Sequence, residues 1–183
     1  MIDQTTIEHY KEALKIRREL VEIDKSFKPK LADALNNLGV AYRGKGLLDQ
    51  AIQQFTEALE IRRDLVEIDE CFKPKLAKAL DNLANTYYGK GSLDQAIECY
   101  EEALEIHRKL VEVESNFNFR FMTSLILLGI AFGLRGTEED KVRSKRLQIE
   151  VRSILEDPVA IKRSQYPDLV SLARILDSLV SEN

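Results

Sequence analysis

Residues 31–68 read LADALNNLGVAYRGKGLLDQAIQQFTEALEIRRDLVEI, and residues 76–113 read LAKALDNLANTYYGKGSLDQAIECYEEALEIHRKLVEV. The second segment repeats the first after 45 residues, with its aromatic, small and branched residues in the same places. Other residues extend this register toward both termini: Tyr10, Phe55 and Tyr100; Ala13, Ala58 and Ala103; Leu20, Leu65 and Leu110; Phe27, Phe72 and Phe117. Residues 10–54 and 55–99 are identical at roughly two thirds of positions, which identifies a tandem repeat.

Each repeat contains two helical patterns. The first begins near Lys28-Pro29 and ends at Gly44-Lys45-Gly46, because proline suits a first helical turn and glycine suits a helix end. Its apolar residues Leu35, Leu38, Gly39 and Tyr42 recur at helical spacing. The second pattern runs without a breaker from Leu48 to about Asp69. Neither helix closes a core of its own, so we expect neighbouring units to stack.

The spacing Leu35-x-x-Leu38-Gly39-x-x-Tyr42, followed by Ala51-x-x-x-Phe55 and Ala58, resembles the tetratricopeptide repeat family. The common repeat of that family has about 34 residues, and the excess of about 11 here corresponds to roughly three helical turns. Such long repeats are similar to those of kinesin light chains and of bacterial signalling proteins. The resemblance implies an all-α fold, a right-handed superhelical solenoid of antiparallel helix pairs with a 45-residue period.

The predicted organisation has two parts. Residues 1–136 hold the repeats: a half repeat at 3–27, repeats at about 28–72 and 73–117, and the start of a third at 118–136. In residues 137–183 the repeat pattern fades, and we expect a degenerate helix followed by a C-terminal capping helix. A cap is expected because the ends of a solenoid need a polar outer face. The half repeat also leaves open that the chain is cut from a longer array.

Composition narrows the classes of partner. The 183 residues carry a net charge of −4, which disfavours a general nucleic-acid binder. No segment approaches the roughly 20 apolar residues that span a bilayer, so we expect no membrane partner. Cys71 and Cys99 fit a reducing compartment better than a disulfide framework, so we expect a cytoplasmic protein.

No residue pattern indicates catalysis, a metal site or a cofactor. His9 and His107 belong to no metal or catalytic spacing, and the glycines at 44–46 are too few for a phosphate loop. His107 takes the place of Arg62 in the next repeat, an exchange typical of a surface position. We therefore expect that the protein is not an enzyme.

In the resembling family, one face of each first helix lines a concave groove that binds peptides. The matching positions here are Asn36, Asn37, Val40, Arg43, Lys78, Asp81, Asn82, Asn85 and Tyr88. Asparagine amides can donate to and accept from a peptide backbone, and an arginine can pair with a carboxylate. Val40 and Asp81 do not match the carboxylate clamp of chaperone-binding members, so chaperone tails are disfavoured as ligands.

The third repeat departs from this pattern because its first helix is apolar nearly all round. An apolar patch of Ile126, Ile130 and Leu134 stands where the polar groove residues would be. Such a helix is normally buried on every side. We expect residues 169–180 to fold back onto this patch, with a homodimer or partner contact as the alternative.

These patterns together predict a non-catalytic scaffold that binds a peptide or protein segment in the concave groove. Two alternatives stay open at this point. One is that the chain is a self-associating module, and the other is that it is the sensor arm of a larger signalling enzyme.

Overall fold

A computed structural model describes residues 4–113, 118–156 and 167–181, and its regular elements within these ranges are all helical. The eight α-helices are α1 (Gln4–Ile23), α2 (Lys28–Gly44), α3 (Leu48–Ile68), α4 (Lys73–Lys90), α5 (Leu93–Val113), α6 (Asn118–Arg135), α7 (Glu138–Glu156) and α8 (Pro167–Ser181). Short 3₁₀ helices precede α2 and α4, at Lys25–Phe27 and Glu70–Phe72. The all-α prediction is confirmed, whereas the hand of the superhelix stays a prediction.

The helix ends repeat because the residues that form them repeat. Gly46, Gly91 and Gly136 follow the first helices at φ angles of 75°, 81° and 75°, which a residue with a side chain adopts at a cost. The carboxylates of Asp24 and Asp69 each accept a hydrogen bond of 2.8 Å from the backbone N–H two residues later. The same turn chemistry therefore precedes α2 and α4, and a glycine at positive φ follows α2, α4 and α6.

The chain divides into two compact units, Met1–Ser92 and Leu93–Asn183. In the first unit α3 packs between α2 and α4, and α1 packs against α2. The core of this unit consists of residues at the repeating apolar positions, among them Leu35, Leu38, Phe55, Leu80 and Leu83.

Gly39 shows why a small residue recurs in the first helix of a repeat. A Cβ atom at Gly39 would lie only 2.7 Å from Cε1 of Phe55. The Phe55 ring is fully buried, so it cannot move aside into solvent. The missing side chain therefore lets α2 and α3 approach closely.

In the second unit α6 contacts α5, α7 and α8, and α8 also contacts α7. The side chain of Leu176 on α8 lies over Gly129 of α6, where a Cβ would be 2.8 Å from its Cδ1 atom. Asp140 of α7 is buried and accepts a hydrogen bond of 2.8 Å from Nε of Arg135. These contacts join α6, α7 and α8 into one core. In the part of the chain that the structure describes, no helix has the length and apolarity to cross a membrane.

Candidate functional site

Side-chain hydrogen bonds tie α2 to α4 along the face where the groove residues were predicted. Nδ2 of Asn82 donates to Oδ1 of Asn36 at 2.8 Å. Nη1 of Arg43 donates to the backbone oxygen of Asn82 at 3.3 Å and to its Oδ1 at 3.4 Å. The Arg43 guanidinium also lies 5.7 Å from the centre of the Phe55 ring, within cation–π range. Arg43 and Asn82 thus fix the relative position of the two helices.

A second cluster joins the same helices near their N-terminal ends. Nη2 of Arg62, on α3, pairs with Oδ1 of Asp33 at 3.0 Å, and its Nη1 donates to the backbone oxygen of Lys75 at 2.9 Å. Nζ of Lys75 pairs with the other Asp33 oxygen at 2.8 Å. Burial lowers the pKa of the Arg62 guanidinium, and the Asp33 carboxylate opposes that shift. Arg62 therefore links α2, α3 and α4 at one point.

The predicted groove residues differ in how much surface they offer. Asn37 and Lys78 are exposed, and the exposed fraction of Val40 is 37%. The half-buried members are Arg43, Asp81, Asn82, Asn85 and Tyr88. Asn36 is only 5% exposed, because its side chain turns toward Asn82.

The accessible members define a surface that we call the α2–α4 face: Asn37, Val40, Arg43, Lys78, Asp81, Asn85 and Tyr88. Asn36 and Asn82 hold this face together from within, as acceptor and donor of one hydrogen bond. Asn37 and Asn82 occupy the same position in successive repeats, yet the first is exposed and the second joins the helices. Equal register therefore does not give the two amides the same role.

The exchange of Arg62 for His107 is not at a surface position. Arg62 is 3% exposed and His107 is fully buried. Arg62 is buried because α2 and α4 both supply oxygen acceptors to its guanidinium. In the sequence, this burial was indicated only by the place of a polar residue within the repeating apolar stripe.

The apolar patch of the third repeat is partly buried. Ile126 and Ile130 are at most 4% exposed, whereas Leu134 is 48% exposed. α8 packs on α6 beside the two isoleucines, at Gly129 and Gly133. A capping function for α8 and a homodimer contact at Leu134 both stay predictions.

The described residues include no group of three or more histidine, cysteine, aspartate or glutamate side chains that would hold a metal ion. Within the same ranges, Cys71 is exposed and Cys99 is half-buried, both as free thiols. Hydrogen bonding to Asp69 raises the pKa of the Cys71 thiol, which disfavours the reactive thiolate. What the α2–α4 face offers is a set of hydrogen-bonding, cationic and aromatic side chains on two neighbouring helices.

Comparison with solved structures finds similar chains. One is BtubC (BKLC) from P. vanneervenii, with a TM-score of 0.59 and 18% identity over 95% of this chain and 70% of that one. Another is a Podosopora anserina protein described as a putative kinesin light chain with nearly identical TPR-like repeats. Its TM-score is 0.59 and its identity is 17%, over 94% of this chain and 88% of that chain. At these identities the likeness is one of fold.

The comparison with curated proteins finds no match. Two family descriptions match the sequence itself, and both are of the tetratricopeptide repeat. The first covers residues 4–64 and the second covers residues 76–116, so together they account for more than half of the chain. Both the sequence pattern and the helical fold agree with these matches. The chain belongs to the tetratricopeptide repeat family.

Proposed function

We propose that this chain is a non-catalytic binding module, and that its α2–α4 face holds an extended or helical segment of a partner protein. Tetratricopeptide repeats generally mediate contacts between proteins, which supports the general role. The single observation that carries the specific proposal is the hydrogen bonding of Arg43 and Asn36 to Asn82. It holds the accessible side chains of two helices in fixed register before any ligand binds.

Preorganisation matters because a ligand then gains contacts without the entropic cost of ordering the receptor. The exposed amide of Asn37 can donate to and accept from a peptide backbone. The ring of Tyr88 offers an apolar surface with a polar end, and Lys78 supplies an exposed positive charge. This mixture suits a peptide with both backbone and side-chain contacts.

A peptide selection tests the proposal, because a random library assumes no particular partner sequence. Peptides are selected on the wild-type chain, and the affinity of one selected peptide is then measured by fluorescence polarisation. Asn37→Trp places a bulky ring on the α2–α4 face and should weaken binding by about tenfold, or about 1.4 kcal/mol. Gln53→Trp is the matched control, because Gln53 is also an exposed amide, in α3.

The two variants should have the same helical circular dichroism as the wild type. If Gln53→Trp weakens binding as much as Asn37→Trp, or if neither does, the selected ligand does not use the α2–α4 face. Self-association and a sensor role in a larger signalling enzyme stay predictions. Light scattering over a range of chain concentrations tests the first of these.

A further inference from the structure

Helix α1 has two apolar stripes, and the rest of its unit covers only one of them. α1 packs against α2, and its buried residues Ile7, Leu14 and Val21 recur every seven positions. Beside this stripe, Tyr10 is 36% exposed and Ile16 is 49% exposed. This second stripe, with Ala13 and Leu20, forms what we call the open face of α1.

The next repeat shows what normally lies on such a face. Tyr10, Ala13 and Leu20 correspond after 45 residues to Phe55, Ala58 and Leu65 of α3. Those three residues are at most 7% exposed, because α2 packs against α3. The covering element is therefore an α-helix with a glycine opposite the aromatic ring, as Gly39 lies against Phe55.

The charges on the open face also have counterparts in the next repeat. Arg17 and Lys30 correspond to Arg62 and Lys75, and both of those cations pair with Asp33 of the covering helix α2. Arg17 and Lys30 line an open groove of about 340 Å³ together with Ala13, Ile16, Leu20 and Phe27. Among the described residues, none pairs a carboxylate with Arg17. The groove thus presents two cations in the arrangement that holds a carboxylate one repeat later.

We propose that the open face of α1 is a docking site for an amphipathic helix of a partner protein. The helix would carry an acidic residue six positions before a glycine or alanine, with leucines between them, as Asp33, Leu35, Leu38 and Gly39 are placed in α2. Its carboxylate would pair with Arg17 and Lys30, and its small residue would lie on Tyr10. This site uses none of the residues of the α2–α4 face, so either proposal can fail without the other.

The chain itself supplies a probe for this site. A fluorescein-labelled peptide with the sequence of residues 28–45, blocked at both ends, should bind the wild-type chain in a polarisation assay. Arg17→Glu in the chain should weaken binding by about tenfold or more, because charge-assisted hydrogen bonds are lost and repulsion replaces them. A peptide with Asp33→Lys should bind the Arg17→Glu chain at least about tenfold more tightly than the unmodified peptide does. A peptide with Gly39→Leu should not bind, because its side chain would meet Tyr10.

Matched measurements make a negative result decisive. The Arg17→Glu chain should have wild-type helical content, since Arg17 lies half-buried at the edge of the groove. Asn37→Trp should leave peptide affinity unchanged, which separates this site from the α2–α4 face. No peptide binding, equal binding to the Arg17→Glu chain, or no recovery with the Asp33→Lys peptide would each overturn the proposal. So would a dimer of the wild-type chain that Arg17→Glu dissociates, because the occupant would then be a second copy.

Discussion

The close approach of α2 to α3 at Gly39 predicts that a single methyl group destabilises the first unit. In Gly39→Ala the new Cβ would lie 2.7 and 2.8 Å from two atoms of the Phe55 ring, where ordinary contacts begin near 3.4 Å. Overpacking of this kind costs about 1–3 kcal/mol, and alanine in place of a helical glycine returns about 0.5–1 kcal/mol. We therefore expect a net loss of about 1 kcal/mol in the free energy of unfolding.

Gly89→Ala is the matched control for this prediction. Gly89 lies in α4 of the same unit, and a Cβ there would meet nothing within 4 Å. It should gain up to about 0.5 kcal/mol from helix propensity alone. Urea unfolding followed by far-ultraviolet circular dichroism measures both changes, as shifts of the transition midpoint in opposite directions.

The sign of the change in unfolding free energy on Gly39→Ala shows whether overpacking against Phe55 outweighs the gain in helix propensity. The next repeat has Ala84 at the corresponding position, so the helix backbone itself accepts alanine. The expected loss of stability therefore rests only on the short distance between the new Cβ atom and the Phe55 ring. A Gly39→Ala chain as stable as the wild type, or stabilised like Gly89→Ala, would refute the packing argument. In a Phe55→Leu background the cost of Gly39→Ala should shrink, because the smaller side chain leaves room.

Three further predictions concern the ion pairs and turns. Hydrogen bonds from Arg135 lower the pKa of the Asp140 carboxyl from 3.8 to about 2, so Asp140 contributes about 2 kcal/mol above pH 4. That contribution is lost as the pH falls toward 2, and urea midpoints should show the difference between wild type and Asp140→Asn shrinking over this range. Arg62→Ala should destabilise the first unit by about 2 kcal/mol in thermal or urea unfolding, because it removes a buried side chain and the hydrogen bond to the backbone oxygen of Lys75, and Arg62→Lys should recover only part of the loss. Gly46→Ala should cost about 1 kcal/mol in the same assay, since Gly46 has a φ angle of 75°; an unchanged midpoint would contradict the turn assignment.

The helices of this protein were predictable because residues at their ends, such as proline and glycine, determine where each helix begins and stops. α2 begins at the predicted Lys28-Pro29, and α3 ends at Ile68, one residue before the predicted limit. Gly46 and Gly91 stop the first helices for a steric reason that depends on no distant contact. The 45-residue period then carries these boundaries along the chain, and α7 still begins 45 residues after α5 although its apolar pattern has faded.

The functional surface was less predictable because burial depends on the neighbouring helix. Asn36 and Asn37 are adjacent amides on α2, and the helical period alone places both near the same face. In the structure Asn36 turns toward Asn82 of α4 and is buried, whereas Asn37 is exposed. The same holds for Arg62, whose burial depends on acceptors from α2 and α4 that lie 29 and 13 residues away in sequence.

The open face of α1 was only partly predictable from the sequence. Its second apolar stripe follows from the register of Tyr10 with Phe55, but the meaning of Arg17 required the contacts of Arg62. In a repeat protein, the contacts of residues in one unit thus indicate which contacts the matching residues of another unit can make.

Photo-cross-linking of a selected peptide shows directly whether the peptide lies on the α2–α4 face. Photo-leucine, a small diazirine amino acid that does not crowd the face, replaces Asn37 on α2 in one chain and Gln53 on α3 in another, both at exposed positions. A peptide bound at this face should form a covalent adduct at position 37 and none at position 53. An adduct at position 53 alone, or equal yields at both positions, would contradict binding at the α2–α4 face.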